Sequence, residues 1–236
     1  MLGQVGHVLV GLVDNIMVGD LGASALAAVS LGNGVFFIAM SIALGFSFSI
    51  TPLTAEADGN KDHSKISRVL KNGVLLCLII STLLYVGINL FQPYLYILKQ
   101  PTDVVILAAP YLKIIAYSII PFSLFQAFKQ FSDGMSATKY AMYAAVLGNI
   151  LNVIFNYVFI YGKFGFPRLE VDGAALGTLL SRVFMLVFLI LFLKKSPALS
   201  VFFKGFFTNL FEVKIQKKLF YFGCLLYTSP SPRDRG

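Results

Sequence analysis

The chain has 236 residues, of which 57% are hydrophobic and only 13% are charged. A soluble domain usually carries about 25% charged residues, so this chain has too little polar surface to coat a water-soluble globule. Its net charge of +8 would suit nucleic acid, but the basic residues lie between apolar runs and not on one polar face. Composition therefore excludes a soluble domain, gives no support for nucleic-acid binding, and makes the lipid bilayer the expected partner.

Six apolar runs are long enough to cross a bilayer, since a membrane helix needs about 20 mostly apolar residues. They fall at residues 1–18, 26–51, 70–92, 103–125, 141–161 and 171–193. A seventh run starts near Leu219 and is cut short by polar sequence. The sequence predicts an all-α integral membrane protein, built as a bundle of six transmembrane helices.

The Lys and Arg residues between these runs predict the orientation, because such residues collect in cytoplasmic loops. Twelve follow the second, fourth and sixth runs: Lys61, Lys65, Arg68, Lys71, Lys129, Lys139, Lys194, Lys195, Lys204, Lys214, Lys217 and Lys218. Three follow the third and fifth: Lys99, Lys163 and Arg168. We expect a multi-pass protein of the inner (plasma) membrane with a cytoplasmic N-terminus.

Asp14 is the clearest ionisable residue inside an apolar run. An ionised side chain at the bilayer centre costs about 2.5–3.5 kcal/mol on insertion scales, so it should face protein or water. Gln4, His7, Gly11 and Asp14 are spaced three, four and three residues apart, which places them on one helical face. Two alternatives stay open for Asp14: a functional buried carboxylate, or an interfacial one near the helix end. His7 is at least as well explained by packing as by proton transfer.

The fifth run carries Asn149, Asn152 and Asn156, spaced three and four residues apart along one helical stripe. Amides in a membrane helix either bond to a neighbouring helix or coordinate a ligand. An interhelical bond contributes about 0.6–2 kcal/mol. Spacing alone favours neither interpretation.

The sixth run has a seam of small residues. Gly173, Gly177 and Ser181 recur every four residues, a pattern that lets two helix backbones approach closely. Thr178 lies beside that seam, where its hydroxyl can face the partner helix. We therefore expect close packing of this helix against a neighbour.

Two cations lie within the runs themselves. Arg182 is near the middle of the sixth run, too deep for its head group to reach the interface comfortably. It should pair with a carboxylate or line an aqueous cavity. Lys113 lies between Pro110 and Pro121, nearer one end of its helix. It too should pair with a carboxylate or line an aqueous cavity, and the cavity wall is slightly favoured.

Several of these motifs resemble the multidrug and toxic compound extrusion (MATE) family. The matching segments are Gly11-Leu12-Val13-Asp14-Asn15-Ile16-Met17-Val18-Gly19, residues 21–29, Asp133-Gly134-Met135, residues 151–162 and Val171-Asp172-Gly173-Ala174-Ala175. The resemblance covers roughly residues 1–223. It implies the first lobe of a twelve-helix transporter whose two six-helix lobes face a central cavity.

The resemblance also implies roles for individual residues. The family's cation site in this lobe would fall on Asp14, Asn152, Asn156 and Thr178. Further residues are candidates for lining the cavity: Gln4, His7, Asn149, Arg182 and Lys113. Some members carry an acid on helix 5 where this chain has Asn156, which puts proton coupling through a carboxylate pair in doubt.

The domain boundaries follow from the same resemblance. We expect a membrane lobe at 1–193, a basic cytoplasmic inter-lobe linker at 194–218 and the start of helix 7 at 219–223. Residues 224–236 look like translated sequencing-adapter sequence, with a natural disordered tail as the alternative. Met1 opens directly into an apolar run, so upstream residues are expected to be missing. A signal peptide is disfavoured, since no basic segment precedes that run.

The expected function is a cation-coupled antiporter that exports lipophilic, often cationic compounds by alternating access. Carboxylate, amide and hydroxyl oxygens suit a hard cation such as Na⁺, and the carboxylate can take H⁺ instead. No cofactor and no enzyme activity are expected, because the familiar catalytic and phosphate-binding motifs are missing from the sequence. Without its C-terminal lobe, the chain should transport nothing. The alternatives are a lipid-linked precursor flippase, a non-transporting membrane scaffold and, more remotely, a membrane enzyme.

Overall fold

The computed structural model describes residues 11, 13–98, 100–203 and 211–228. Within those ranges the regular elements are helices. Residues 13–19 form the described part of α1. The other α-helices are α2 (Ala23–Phe48), α3 (Ile50–Gly59), α4 (His63–Phe91), α5 (Thr102–Tyr117), α6 (Ile119–Gly134), α7 (Thr138–Tyr161), α8 (Glu170–Lys195), α9 (Pro197–Ser200) and α10 (Val213–Thr228). Short 3₁₀ helices occupy Gln92–Leu98 and Val201–Phe203.

Five stretches of the described chain are long and apolar enough to cross a membrane. They are Ala23–Gly59, His63–Ile97, Thr102–Gly134, Thr138–Tyr161 and Glu170–Lys195. They match the second to sixth predicted runs, so the all-α membrane fold class is confirmed. Most of the first predicted run lies outside the described residues.

Two of these stretches are broken helices, and proline explains both breaks. Pro52 and Pro121 lack an N–H, and their rings clash with the carbonyl four residues earlier, at Phe48 and Tyr117. Those are the residues at which α2 and α5 end. At each break a serine hydroxyl donates back along the chain, Ser49 to the Phe46 carbonyl (2.7 Å) and Ser118 to the Ile115 carbonyl (2.6 Å). The predicted run 103–125 crosses the second break as one span, and the predicted run 26–51 ends at the start of α3 without marking the first break.

The predicted cytoplasmic loops are mostly helical, which corrects their assignment as loops. The helical residues are Lys65, Arg68 and Lys71 on α4, Lys129 on α6, Lys139 on α7, Lys194 and Lys195 on α8, and Lys214, Lys217 and Lys218 on α10. Lys and Arg are good helix formers, so a helix continues beyond the apolar residues that hydropathy detects. Asp62 fixes the true start of α4, because its carboxylate accepts from the Lys65 N–H at 2.9 Å. The helix predicted near Leu219 likewise begins at Val213.

The helices pack around two large apolar cores and a small third one at Ala28, Val104 and Ala108. The first joins residues of α3, α4, α6, α7 and α8, including Phe125, Phe131 and Leu189. The second joins α2, α5 and the start of α6, including Leu112 and Ile119. The predicted small-residue seam lies where α8 crosses α7, since a Cβ on Gly173 would lie 2.6 Å from the Phe159 carbonyl. Many large apolar side chains point outward, as expected for a surface covered by lipid or by further protein.

Asn72, fully buried on α4, joins this helix to the start of α10. Its Oδ1 accepts from the Glu212 backbone N–H at 2.9 Å. Its own carbonyl accepts from the Gln216 Nε2 at 3.0 Å, and its Nδ2 donates to the Arg68 carbonyl at 2.9 Å. One side chain thus fixes the position at which the chain leaves the bundle.

We expect Asn72→Ala to loosen the start of α10 without unfolding the bundle. The change leaves a backbone N–H without its acceptor, which costs about 1–3 kcal/mol when the group is buried. Amide hydrogen exchange across residues 212–216 should therefore accelerate about tenfold or more. Asn89→Ala is the matched control, because Asn89 donates to the Tyr85 carbonyl within α4. Equal exchange in both variants would contradict the assignment.

Candidate cation-binding site

Asp14 lies inside the bundle, bonded to α7. The Asn156 Nδ2 donates to the Asp14 Oδ1 at 2.5 Å. Asn156 is fully buried and Asp14 is half-buried. The residues come from α1 and α7, 142 positions apart in the chain. A carboxylate at the membrane interface can be solvated by water. Asp14 instead makes a charge-assisted hydrogen bond to a buried amide, which is stronger than a bond between neutral groups.

One turn away on α7, Asn152 bonds to α8. Its Nδ2 lies 3.4 Å from the Thr178 Oγ1 and 3.3 Å from the Ser181 Oγ. The Thr178 hydroxyl donates to the Ala174 carbonyl at 3.0 Å, which leaves its lone pairs free to accept. The four predicted site residues are therefore brought together as two hydrogen-bonded pairs on successive turns of α7.

Two oxygens in this cluster have no hydrogen-bond donor among the described residues. They are the Oδ1 atoms of Asn152 and Asn156, and both are buried. An unpaired buried acceptor costs about 1–3 kcal/mol, so each needs a donor, a water or a cation. The described chain holds no cluster of three or more His, Cys, Asp or Glu residues. The donor set at this position is one carboxylate with neutral amide and hydroxyl oxygens, which fits a hard monovalent cation.

One of the two environments predicted for Arg182, an ion pair with a carboxylate, is not formed among the described residues. Its Nη1 donates to the Ser118 Oγ at 2.5 Å, and among the described residues it forms no salt bridge. Its guanidinium carbon lies 4.6 Å from the centroid of the Phe36 ring and 5.2 Å from that of Phe122. Planar stacking on aromatic faces stabilises a buried guanidinium, and Asp14 acts on Arg182 electrostatically without forming a salt bridge. Ser118 is available because the helix is broken there.

The remaining predicted residues are dispersed. Gln4 and His7 lie outside the described residues. Asn149 is half-buried one turn before Asn152, and it takes no part in the bonds that join the two pairs. Lys113 is exposed on α5, on the same face as Pro110 and Tyr117.

Sequence reasoning missed other polar residues of the bundle interior. The buried Tyr111 donates to the Asn33 Oδ1 at 2.8 Å, and its ring covers Gly32, where a Cβ would lie 2.5 Å from it. A tyrosine inside an apolar run resembles an ordinary membrane aromatic residue, so Tyr111 itself did not indicate a polar contact. The Gly32-Asn33 pair in α2 was the signal that could have indicated one. Tyr161 of α7 donates to the Asp20 Oδ2 at 2.9 Å. It also lies 3.3 Å from the Met17 carbonyl, and so holds the end of α1.

Comparison with known proteins decides the family. The family model described as MatE matches residues 1–158, about two thirds of the chain. The chain belongs to the MatE family. The resemblance in its motifs is thereby confirmed. Relatives in this family are named as multidrug resistance proteins and multidrug resistance transporters, and the family points away from an enzyme.

Similar MATE proteins include a probable multidrug resistance protein NorM of Idiomarina loihiensis. It is 30% identical over 178 residues, covering 75% of this chain and 38% of the relative. The outward-facing conformation of a multidrug resistance MATE transporter superposes with a TM-score of 0.80 at 26% identity, covering 95% of this chain. The inward-facing conformation of such a transporter gives 0.74 at 26% identity, covering 92% of this chain.

The chain spans about half the length of the proteins it matches. It covers 49% of the outward-facing structure and 48% of the inward-facing one. The bundle is therefore the N-terminal lobe of the MATE fold, as predicted.

Proposed function

We propose that this chain is the first lobe of a cation-coupled antiporter that exports lipophilic, often cationic compounds by alternating access. The observation that carries the proposal is the bond between Asp14 and Asn156, with the pair Asn152 and Thr178 one turn away. It places a carboxylate, two amides and a hydroxyl within one interior region of three helices.

Occupancy of the site would change how α1 contacts α7. A cation at Asp14 competes with the Asn156 Nδ2 for the Oδ1 of the carboxylate. The unpaired Oδ1 atoms of Asn152 and Asn156 are the natural further ligands, because each gains the partner it lacks. A proton on Asp14 would weaken the same bond by removing the negative charge. Na⁺ and H⁺ thus act through one contact.

The contact at Asp14 can change while the end of α1 stays anchored. Tyr161 holds Met17 and Asp20, which lie about one to two turns beyond Asp14 on the same segment. Ion binding would therefore tilt α1 about its Tyr161 end and leave the loop in place. The inward-facing and outward-facing relatives support a cycle in which one lobe rocks against the other. The second lobe of the transporter is the expected partner.

The charge of Asp14 bears on the substrate class, and the distribution of Lys and Arg bears on the orientation in the membrane. The interior carboxylate of Asp14 suits cationic substrates, and the similar NorM protein is named for multidrug resistance. The twelve-to-three distribution of Lys and Arg supports a cytoplasmic N-terminus in the plasma membrane, since the helical lysines still lie near span ends.

The alternatives fit the geometry less well. A scaffold whose α7 amides serve only to bond neighbouring helices should satisfy their oxygens, whereas the buried oxygens of Asn152 and Asn156 are unpaired among the described residues. A flippase for a large anionic lipid precursor needs several basic side chains facing the cavity. Arg182 instead packs between Phe36 and Phe122 inside the lobe.

Proteoliposomes containing a two-lobed transporter with this lobe test the proposal. We expect ethidium movement against an imposed Na⁺ gradient at constant pH, or against a pH gradient at constant Na⁺. The gradient that drives it identifies the coupling ion. Asp14→Asn should remove the driven component, whereas Asp20→Asn should retain most of it. Ethidium movement that ignores both gradients, or driven movement that survives Asp14→Asn, would refute the proposal.

A further inference from the structure

A basic groove lies at the end of the bundle where α3 turns into α4 and α10 begins. It encloses about 210 Å³. Eight residues line it: Leu53, Lys65, Arg68, Val69, Glu212, Lys214, Ile215 and Lys218. It lies well away in sequence and element from the site around Asp14, and the proposed transport cycle does not use it.

The groove carries more positive charge than its acidic residues balance. Its lining holds four cations and one carboxylate. Lys65 pairs with Glu56 at 2.7 Å, and Arg68 pairs with Glu212 at 3.4 Å. Within the described chain, Lys214 and Lys218 form no salt bridge. Lys218 also lies within electrostatic range of Glu56. Lys214 and Lys218 share one face of α10, where both can contact an anion.

The surroundings of the groove favour a lipid over a free anion. The groove lies at the junction of the candidate spans Ala23–Gly59 and His63–Ile97, which places it at the membrane surface. Its floor includes the buried Leu53 and Val69. Beside it, Phe211 is 63% exposed and Val213 is 54% exposed, so apolar surface continues outward from the cations. A phospholipid has this order of groups, an anionic phosphate followed by apolar chains.

We propose that this groove binds the phosphate of an anionic phospholipid headgroup. Lys65 and Arg68 of α4 would face it from one side, and Lys214 and Lys218 of α10 from the other. Basic pockets at the ends of membrane helices favour such headgroups electrostatically. Asn72 already bonds α4 to the start of α10 beside the groove. A bound lipid would stabilise the same junction through the basic side chains of both helices.

Native mass spectrometry of the detergent-purified chain tests the proposal, with phosphatidylglycerol and phosphatidylcholine as probes. We expect one phosphatidylglycerol to be retained in preference to phosphatidylcholine. Lys214→Gln/Lys218→Gln should weaken that retention about tenfold. Lys194→Gln/Lys195→Gln is the matched control, since it removes two exposed charges from the end of α8 and should change retention less than twofold. Lys214→Arg/Lys218→Arg should retain the lipid.

Three results would overturn the proposal. The first is equal retention of the two lipids by the unmodified chain, a measurement that needs no variant. The second is equal weakening by the α8 control, which would mean that only overall charge matters. The third is displacement of phosphatidylglycerol by inorganic phosphate at the same concentration, which would make the groove a site for free anions. Circular dichroism and monodisperse elution check that each variant is folded.

Discussion

Asp14→Asn is expected to reduce Na⁺ binding by the purified chain about hundredfold or more. The substitution keeps the size of the side chain but removes the one negative charge that the described site offers a cation. Removing one member of a buried charge pair costs about 3–5 kcal/mol, and each 1.4 kcal/mol is a factor of ten in affinity. The amide can still meet Asn156, so the fold should persist.

Binding of radioactive ²²Na⁺ at fixed pH measures the effect directly. Asp20→Asn is the matched control, because Asp20 is a carboxylate just beyond the same helix, exposed and bonded to Tyr161. It should bind Na⁺ within about twofold of the unmodified chain, since an exposed carboxylate contributes little to a buried site. Unchanged binding in Asp14→Asn would place the cation elsewhere. If the unmodified chain binds no Na⁺, the assignment of a Na⁺ site to Asp14 is contradicted.

Gly177→Ala is expected to destabilise the lobe and impair the site together. A Cβ at this position would lie 2.1 Å from the Asn156 Oδ1 and 3.1 Å from its backbone nitrogen. The amide can rotate away only by giving up its bond to Asp14, and the backbone can retreat only if α7 separates from α8. Overpacking of this kind costs about 1–3 kcal/mol.

Thermal unfolding in detergent is the measurement, and we expect the melting temperature to fall by about 5 °C. Gly87→Ala is the control: it lies inside α4, and a Cβ there has no heavy atom within 4 Å. Ala is the better helix former, so that variant should melt at the same temperature or slightly higher. A Gly177→Ala variant that melts normally and binds Na⁺ normally would show that the close contact is not required.

The spacing of residues along one helix predicted which site residues share a face, but not which helix that face contacts. Asn152 and Asn156 must share a stripe because they are four residues apart, and Gly173 and Gly177 must share a seam for the same reason. Spacing within one helix cannot say which helix that stripe faces. The junction of α1, α7 and α8 therefore came from the family resemblance, and the hydrogen bonds from the structure. Tyr111 and Ser118 were missed because their partners lie on other helices or across a break.

The amino-acid sequence by itself determined that this chain belongs in a bilayer, where its main spans lie, and which polar residues they carry. Those properties follow from composition and from helical periodicity, which are local. Only the tertiary structure decided that Asp14 meets Asn156 and that Arg182 stacks on Phe36 without an ion pair. The same holds for α10, which fastens to α4 through Asn72. These contacts join residues 140 to 146 positions apart, so they depend on how whole helices pack, which no local pattern records.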